Sequence, residues 1–251
     1  MSNKNHLQFS PEVVGYPILF VMILWIVFWI ESRFGINFNK FGIYPNTAEG
    51  LIGIFFGPFI HGSLKHLFNN SVPLFVLSTA LFYFYRKIRW RVLILGLLLT
   101  GLATWVIGRP SWHIGASGVV YMLVSFLFFK GIWSKQYQLT SLALVVVFLY
   151  GGLLWYVFPV DPKISWEGHL SGFFVGVLFA FIFKEVPLEN KKYEWEKEDF
   201  NPENDPFIQQ FDDNGNFVGL PKVEESDLNQ EGEPPEIKIV YTVKKSDENF
   251  N

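Results

Sequence analysis

Two glycine-bounded motifs carry side chains that could perform hydrolytic chemistry. Ser117 lies in GASG at residues 115–118, and His169 lies in GHLSG at residues 168–172. A histidine beside a serine can accept the hydroxyl proton and later return it to a leaving amine. Glu167 and Asp161 are near in sequence, but Glu167 would project differently on a helix. The pattern therefore predicts a two-residue Ser117–His169 dyad.

The glycines beside Ser117 suit an oxyanion-binding helix end. Gly115 and Gly118 let the backbone turn tightly and let a substrate approach it closely. The first amide groups of a helix lack intrahelical partners and can stabilise an oxyanion. Read alone, the motif is better explained by an N-cap serine whose glycines serve helix packing.

Further polar residues fall near the same ends of the apolar segments. His66 and Asn70 are four residues apart, so they share one face of a helix. Such a pair could line a reaction site, or it could join two helices by hydrogen bonds. Four of the five histidines belong to this side of the chain, namely His61, His66, His113 and His169.

The helix carrying His169 has a face for close packing. Gly168, Gly172 and Gly176 recur every four residues, a small-xxx-small pattern that permits close helix contact. His169 is adjacent to that face, so its ring should lie near the partner helix. If the partner is the helix that begins near Ser117, the two side chains meet.

Six apolar segments must position these residues. The sequence is 50% hydrophobic and 19% aromatic, and a membrane helix needs roughly 20 mostly apolar residues. Six separate runs, most ending in Lys or Arg, disfavour the amphipathic helices of a soluble domain. The predicted spans are residues 13–31, 67–85, 92–107, 117–129, 139–158 and 170–183, the last continuing from Trp166.

Basic residues in short loops predict the orientation. Lys and Arg cluster between the second and third spans, between the fourth and fifth, and after the sixth. By the positive-inside rule, both termini should be cytoplasmic. The loop at residues 32–65 is rich in Phe, Ile and Leu, so we expect it in the outer membrane interface, packed on the helices.

Charge divides the chain into two regions. Residues 185–251 hold 18 acidic and 7 basic side chains, whereas residues 1–184 hold 5 and 13. We interpret residues 1–185 as a transmembrane catalytic domain and 186–251 as an acidic cytoplasmic tail, largely disordered or a small β-like module. The Asn214-Gly215 turn and the alternating apolar residues at 237–243 fit a small module or a partner-binding segment. The acidic composition favours a solvated tail. Neither region resembles a nucleic-acid-binding surface, and the absence of cysteine excludes a thiolate nucleophile.

The motifs and their order closely resemble the rhomboid intramembrane serine proteases. The matching segments are FIHGSLKHLFNN at 59–70, GASG at 115–118 and GHLSG at 168–172 with Gly176, within residues 10–185. Gly168 departs from the alanine that the family often has. The resemblance implies an all-α membrane protein, a six-transmembrane-helix bundle with a long interfacial loop between the first two spans.

The resemblance also implies a role for each matched residue. Ser117 would be the nucleophile and His169 the general base. His66 and Asn70, with the Ser117 backbone N–H, would line the oxyanion hole. The implied supporting residues are His61, a structural histidine of the first loop, Tyr121, on which the imidazole stacks, Gly115 and Gly118 around the nucleophile, and Gly172 and Gly176, which bring the fourth and sixth spans together.

The expected activity is cleavage of single-span membrane proteins near the outer membrane face, without metal or cofactor. We expect a multi-pass protein of a bacterial inner membrane, surrounded by lipid. Three alternatives remain open at this point. A catalytically inactive relative would bind membrane-protein clients, a metalloprotease would use the four histidines, and a channel would need a polar stripe that no span shows.

Overall fold

The computed structural model describes residues 10–162, 164–184, 193, 195, 198–205 and 207–219. The regular structure of these residues is helical, and β pairing among them is limited to two isolated bridges. The chain forms two compact units, Met1–Glu189 and Asn190–Asn251. The first unit contains every residue that the sequence nominated for chemistry.

All six apolar segments predicted from the sequence are helical. A short additional helix, α2, lies in the loop between the first two of them. The helices are α1 (Glu12–Phe34), α2 (Gly53–Phe56), α3 (Leu64–Phe84), α4 (Arg89–Ile107), α5 (Ser117–Trp133), α6 (Tyr137–Tyr150) and α7 (Trp166–Ile182).

Among the described residues, four helical stretches are long and apolar enough to cross a membrane. They are Pro11–Phe34, Leu64–Phe84, Arg89–Ile107 and Tyr137–Val157. Helices α5 and α7 are shorter, with 17 residues each. At 1.5 Å per residue each spans about 26 Å, slightly less than the hydrocarbon core of a bilayer. The count of six spans therefore remains a prediction.

Serine caps fix where α3 and α7, two of the helices beside the candidate site, begin. Ser63 precedes α3, and its hydroxyl accepts the backbone N–H of His66 at 3.1 Å. Ser165 precedes α7, and its hydroxyl accepts the backbone N–H of Gly168 at 3.3 Å. Each cap satisfies an amide that the helix cannot, which stabilises a helix by about 1 kcal/mol.

Helices α5 and α7 pack with their backbones in contact. A Cβ atom at Gly172 would strike the carbonyl oxygen of Gly118, and one at Gly176 would strike Ser125 Oγ and the carbonyl oxygen of Met122. The absence of side chains at these positions lets the two helices approach closely. This approach brings the first residue of α5 beside the first turn of α7.

The loop between α1 and α3 is folded onto its neighbours. It forms 3₁₀ helices at Asn39–Phe41, Glu49–Ile52 and Gly57–Phe59, in addition to α2. Trp105 of α4 donates its indole N–H to the carbonyl of Thr47 at 2.8 Å. The loop therefore contacts α4, while its place in the outer membrane interface stays a prediction.

The second unit contains a small turn. Phe211 and Phe217 form an isolated antiparallel bridge, and Gly215 between them has φ +79°. The Asp212 carboxylate accepts the backbone N–H of Asn216 at 2.7 Å, which closes the turn. The turn at Asn214-Gly215 matches the sequence signal, and the alternating residues 237–243 lie outside the described residues.

Candidate active site

The serine and histidine of the two motifs are hydrogen-bonded to each other. Ser117 Oγ lies 2.9 Å from His169 Nε2. Ser117 is the first residue of α5, and His169 lies in the first turn of α7, where it is 6% exposed. The glycine contacts between these helices hold the two side chains at this distance. The pair has the geometry of a nucleophile and its general base.

A main-chain carbonyl fixes the tautomer of His169. The carbonyl oxygen of Tyr156 lies 2.9 Å from Nδ1 and can only accept a hydrogen bond. Nδ1 therefore carries the proton, and in the neutral ring Nε2 is free to accept the hydroxyl proton of Ser117. Sequence reasoning missed this partner, because a backbone carbonyl leaves no residue signature. Tyr156 lies in the 3₁₀ helix Gly151–Val157 that follows α6.

The ring of Tyr121 stacks against the imidazole of His169. The two rings stack with centroids 4.1 Å apart and planes inclined by 9°. The Tyr121 hydroxyl donates to the carbonyl of Leu153 at 2.7 Å. The same 3₁₀ helix thus contacts both rings, and the imidazole can rotate little without breaking one of these contacts.

Helix α3 places two further side chains beside the loop that leads to Ser117. Gly115 has φ +102°, a conformation that glycine adopts readily. A Cβ atom there would lie 2.6 Å from His66 Nε2 and 3.4 Å from Asn70 Nδ2. Asn70 is 4% exposed, and its Nδ2 has no hydrogen-bond partner within the described part of the chain. A free buried donor beside a nucleophile can serve a developing negative charge.

His61 contacts the loop that leads to Ser117 through hydrogen bonds of its ring nitrogens. Its Nδ1–H donates to the carbonyl of Phe59 at 3.3 Å, and its Nε2 accepts the backbone N–H of Ala116 at 3.5 Å. The ring also meets His66 edge to face, with centroids 5.0 Å apart. His61 therefore contacts both the residue before Ser117 and a side chain of α3.

A cavity of about 840 Å³ opens beside the dyad. Ser117, His169, His66 and Asn70 all line it. Its volume lies within the range of pockets that enclose small ligands or short chain segments. Ser117 and His169 therefore border a cavity that is large enough to hold a small ligand.

The family model described as Rhomboid domain matches residues 48–186, a stretch that contains all of these site residues. The chain belongs to the rhomboid family. Its apolar helices and this membership together identify an integral membrane protein.

The curated relatives of this rhomboid are mycobacterial. Uncharacterized proteins of Mycobacterium tuberculosis and Mycobacterium bovis are each 36% identical to it over 181 residues, 68% of this chain and 75% of the relative. An uncharacterized protein of Mycobacterium leprae is 34% identical over 206 residues, 71% of this chain and 79% of the relative. The similarity therefore extends over most of each chain.

The four histidines that the structure of this rhomboid describes form no metal-binding group. Across the described ranges, no set of three or more His, Cys, Asp or Glu side chains is arranged to hold a metal ion. His113 Nδ1 instead contacts Ser165 Oγ at 2.5 Å. This arrangement disfavours the metalloprotease alternative.

Acid should destabilise this rhomboid through His61. Burial, followed by the neighbouring His66, lowers the pKa of His61 from 6.5 to about 4. A lowered pKa means that the folded state favours the neutral ring. The contribution of His61 to the free energy of unfolding is therefore complete above pH 6.5 and is lost as the pH falls toward 4. The loss should reach about 3 kcal/mol.

Thermal unfolding in detergent micelles between pH 4 and 8 measures this effect. Because His113 also has a pKa lowered by burial, the informative quantity is the difference between the wild-type protein and His61→Phe. The variant should lose less stability between pH 6.5 and 4. Identical pH profiles for the two proteins would contradict the assignment to His61.

Proposed function

We propose that this rhomboid is an intramembrane serine endopeptidase that cleaves single-span membrane proteins near the outer membrane face. The observation that carries the proposal is the 2.9 Å contact between Ser117 Oγ and His169 Nε2, with Nδ1 held by a carbonyl. Membership of a family whose members are generally serine proteases of this kind supports it.

In the proposed first step, Ser117 Oγ attacks the scissile carbonyl carbon while its proton moves to His169 Nε2. The resulting imidazolium keeps its Nδ1–H bond to the Tyr156 carbonyl, which becomes charge-assisted and therefore stronger. The tetrahedral oxyanion is stabilised by the backbone N–H of Ser117 together with His66 and Asn70. Each of these donors belongs to a residue that lines the cavity.

In the second half of the cycle, the Nε2–H of His169 protonates the leaving amine as the C–N bond breaks, which leaves an ester on Ser117. Water then attacks the ester carbonyl, gives its proton to Nε2, and the acid product departs as Ser117 recovers its hydrogen. Nothing in this sequence requires a metal or a redox cofactor.

The substrate must present an extended peptide bond to Ser117, because the peptide bonds of an intact helix are shielded. Gly or Pro near the cleavage site lowers the cost of unwinding, since both disfavour helix. We further propose six spans with both termini in the cytoplasm of a bacterium. Residues 1–185 would form the catalytic domain and residues 186–251 the tail.

Reconstitution tests the proposal. The purified protein in lipid vesicles is combined with a panel of single-span substrates, half carrying Gly or Pro near the outer face and half with uninterrupted Leu-rich spans. We expect cleavage of the first half, with product masses that map near the outer face, and labelling of Ser117 by a fluorophosphonate. No cleavage and no labelling would overturn the proposal and favour a client-binding relative.

A further inference from the structure

A polar cluster of four residues connects the segments that precede α5 and α7. Arg109 and His113 lie between α4 and α5, in the segment that leads to Ser117. Ser165 caps α7, and Glu167 lies in its first turn. The cluster thus links the chain just before the nucleophile to the chain just before His169.

Arg109 contacts the segment before α7 at several points. Its Nη2 donates to the carbonyl oxygens of Pro162 at 2.8 Å and Ile164 at 2.9 Å. Its Nη1 lies 3.5 Å from Glu167 Oε1, and its backbone N–H donates to the same oxygen at 3.3 Å. A planar guanidinium suits this task, because its donors are fixed in a rigid fork.

A second path runs through His113 and Ser165. The carbonyl oxygen of Arg109 lies 3.1 Å from His113 Nε2, which must donate to it. In the neutral ring, Nδ1 is therefore the acceptor for the hydroxyl of Ser165 at 2.5 Å. Ser165 Oγ in turn accepts the backbone N–H of Gly168. The path ends at the residue directly before His169.

Burial makes the Arg109–Glu167 pair an unusual feature for a loop junction. The Glu167 side chain is 1% exposed, while that of Arg109 is 35% exposed. Oε2 of Glu167 has no hydrogen-bond partner among the described residues. Burying a carboxylate costs free energy of folding unless the carboxylate is paired. A buried ion pair is therefore weak evidence for stability and is better explained by a role in fixing one geometry.

We propose that Arg109 and Glu167 are positioning residues that set the distance between Ser117 and His169. They act by clamping the segment before α5 to the segment before α7, and Glu167 is only two residues from His169. The inference rests on the proposed function for its catalytic consequence. The clamp itself is a property of the fold and can be measured without catalysis.

The test uses Arg109→Gln, Arg109→Lys and Glu167→Gln in the full-length protein, reconstituted in lipid vesicles. For the two Gln variants we expect kcat to fall by about 100-fold, the loss that a misplacement of about 1 Å produces. KM should stay unchanged, because the chemistry rather than the binding of substrate is affected. Labelling of Ser117 by a fluorophosphonate should slow in parallel.

Arg109→Lys is the conservative variant, which keeps the test informative if Arg109→Gln fails to fold. Lys keeps the positive charge opposite Glu167 but loses the planar fork that joins two carbonyls, through Nη2, to the Glu167 carboxylate, through Nη1. We expect a loss in kcat of about 10-fold, intermediate between the wild-type and Gln proteins. Because Arg109 also lines the cavity, a raised KM with unchanged kcat would instead assign it to substrate binding and overturn the proposal.

Hydrogen exchange of residues 108–116 and 158–168 reads the clamp independently of activity. Exchange should accelerate in both segments in Arg109→Gln and Glu167→Gln. The control variants Arg33→Gln and Glu49→Gln change exposed residues and should leave exchange unchanged. If the wild-type protein cleaves no substrate, the proposed function fails while this measurement still judges the clamp. Unchanged exchange would overturn the clamp, and a lower melting temperature with unchanged kcat would overturn its role in positioning Ser117 and His169.

Discussion

The Ser117→Ala protein in lipid vesicles is expected to release almost no cleavage product, with kcat reduced by about 10⁵-fold or more. The substitution removes the hydroxyl oxygen that lies 2.9 Å from His169 Nε2 and that would attack the carbonyl. His169→Ala should be as damaging, since it removes the acceptor for the hydroxyl proton. Quantified product bands, with labelling of the serine by a fluorophosphonate, measure both losses.

The double variant and a matched serine control make this result specific. Nucleophile and base act as one unit, so Ser117→Ala with His169→Ala should be no worse than either change alone. Ser171→Ala removes a buried hydroxyl from the same helix as His169, and this hydroxyl has no hydrogen-bond partner in the described chain. The Ser171→Ala protein should cleave substrate at the wild-type rate. Cleavage at the wild-type rate by the Ser117→Ala protein would end the dyad proposal.

The second large effect is expected at Gly172. In Gly172→Ala the new methyl group would meet the carbonyl oxygen of Gly118, a backbone atom that cannot move aside alone. Helices α5 and α7 must therefore separate, at a cost of about 3 kcal/mol in the free energy of unfolding. A separation of about 1 Å should also lower kcat by about 100-fold, because Ser117 and His169 lie on opposite sides of this contact.

Gly15→Ala is the matched control. Gly15 lies within α1, and a Cβ atom there would meet nothing within 4 Å. Both substitutions gain about 1 kcal/mol of helix propensity, so only the packing differs. Chemical denaturation in mixed micelles and the cleavage assay should leave Gly15→Ala unimpaired. If Gly172→Ala is equally stable and active, the close helix contact does not govern the site.

Local patterns in the sequence were sufficient to predict the main helices and to nominate Ser117 and His169, which the structure brings into contact. Long apolar runs predict helices because a membrane leaves the backbone few alternatives. The glycine spacing around His169 predicted a close partner helix, and the structure places α5 there. Ser117 and His169 stood out because polar and ionisable side chains are rare within membrane-spanning segments.

Other features could not be predicted, since they depend on contacts between distant segments. The fifth span was predicted as one run, residues 139–158, and Tyr137–Val157 is long and apolar enough to cross a membrane. The change from α-helix to 3₁₀ helix at Gly151 was not predicted. Two successive glycines weaken the α-helix there. The pairing of Arg109 with Glu167 joins residues 58 positions apart, a separation that no local pattern encodes.

The carbonyl of Tyr156 has a consequence for genetics. No codon change deletes a main-chain oxygen, so a scan of side chains along this stretch would leave the third partner of the imidazole in place. Such a scan would count two members in the proposed mechanism, which uses three. Chemical synthesis can reach the third, because an ester in place of the amide between Tyr156 and Val157 makes that oxygen a poorer acceptor.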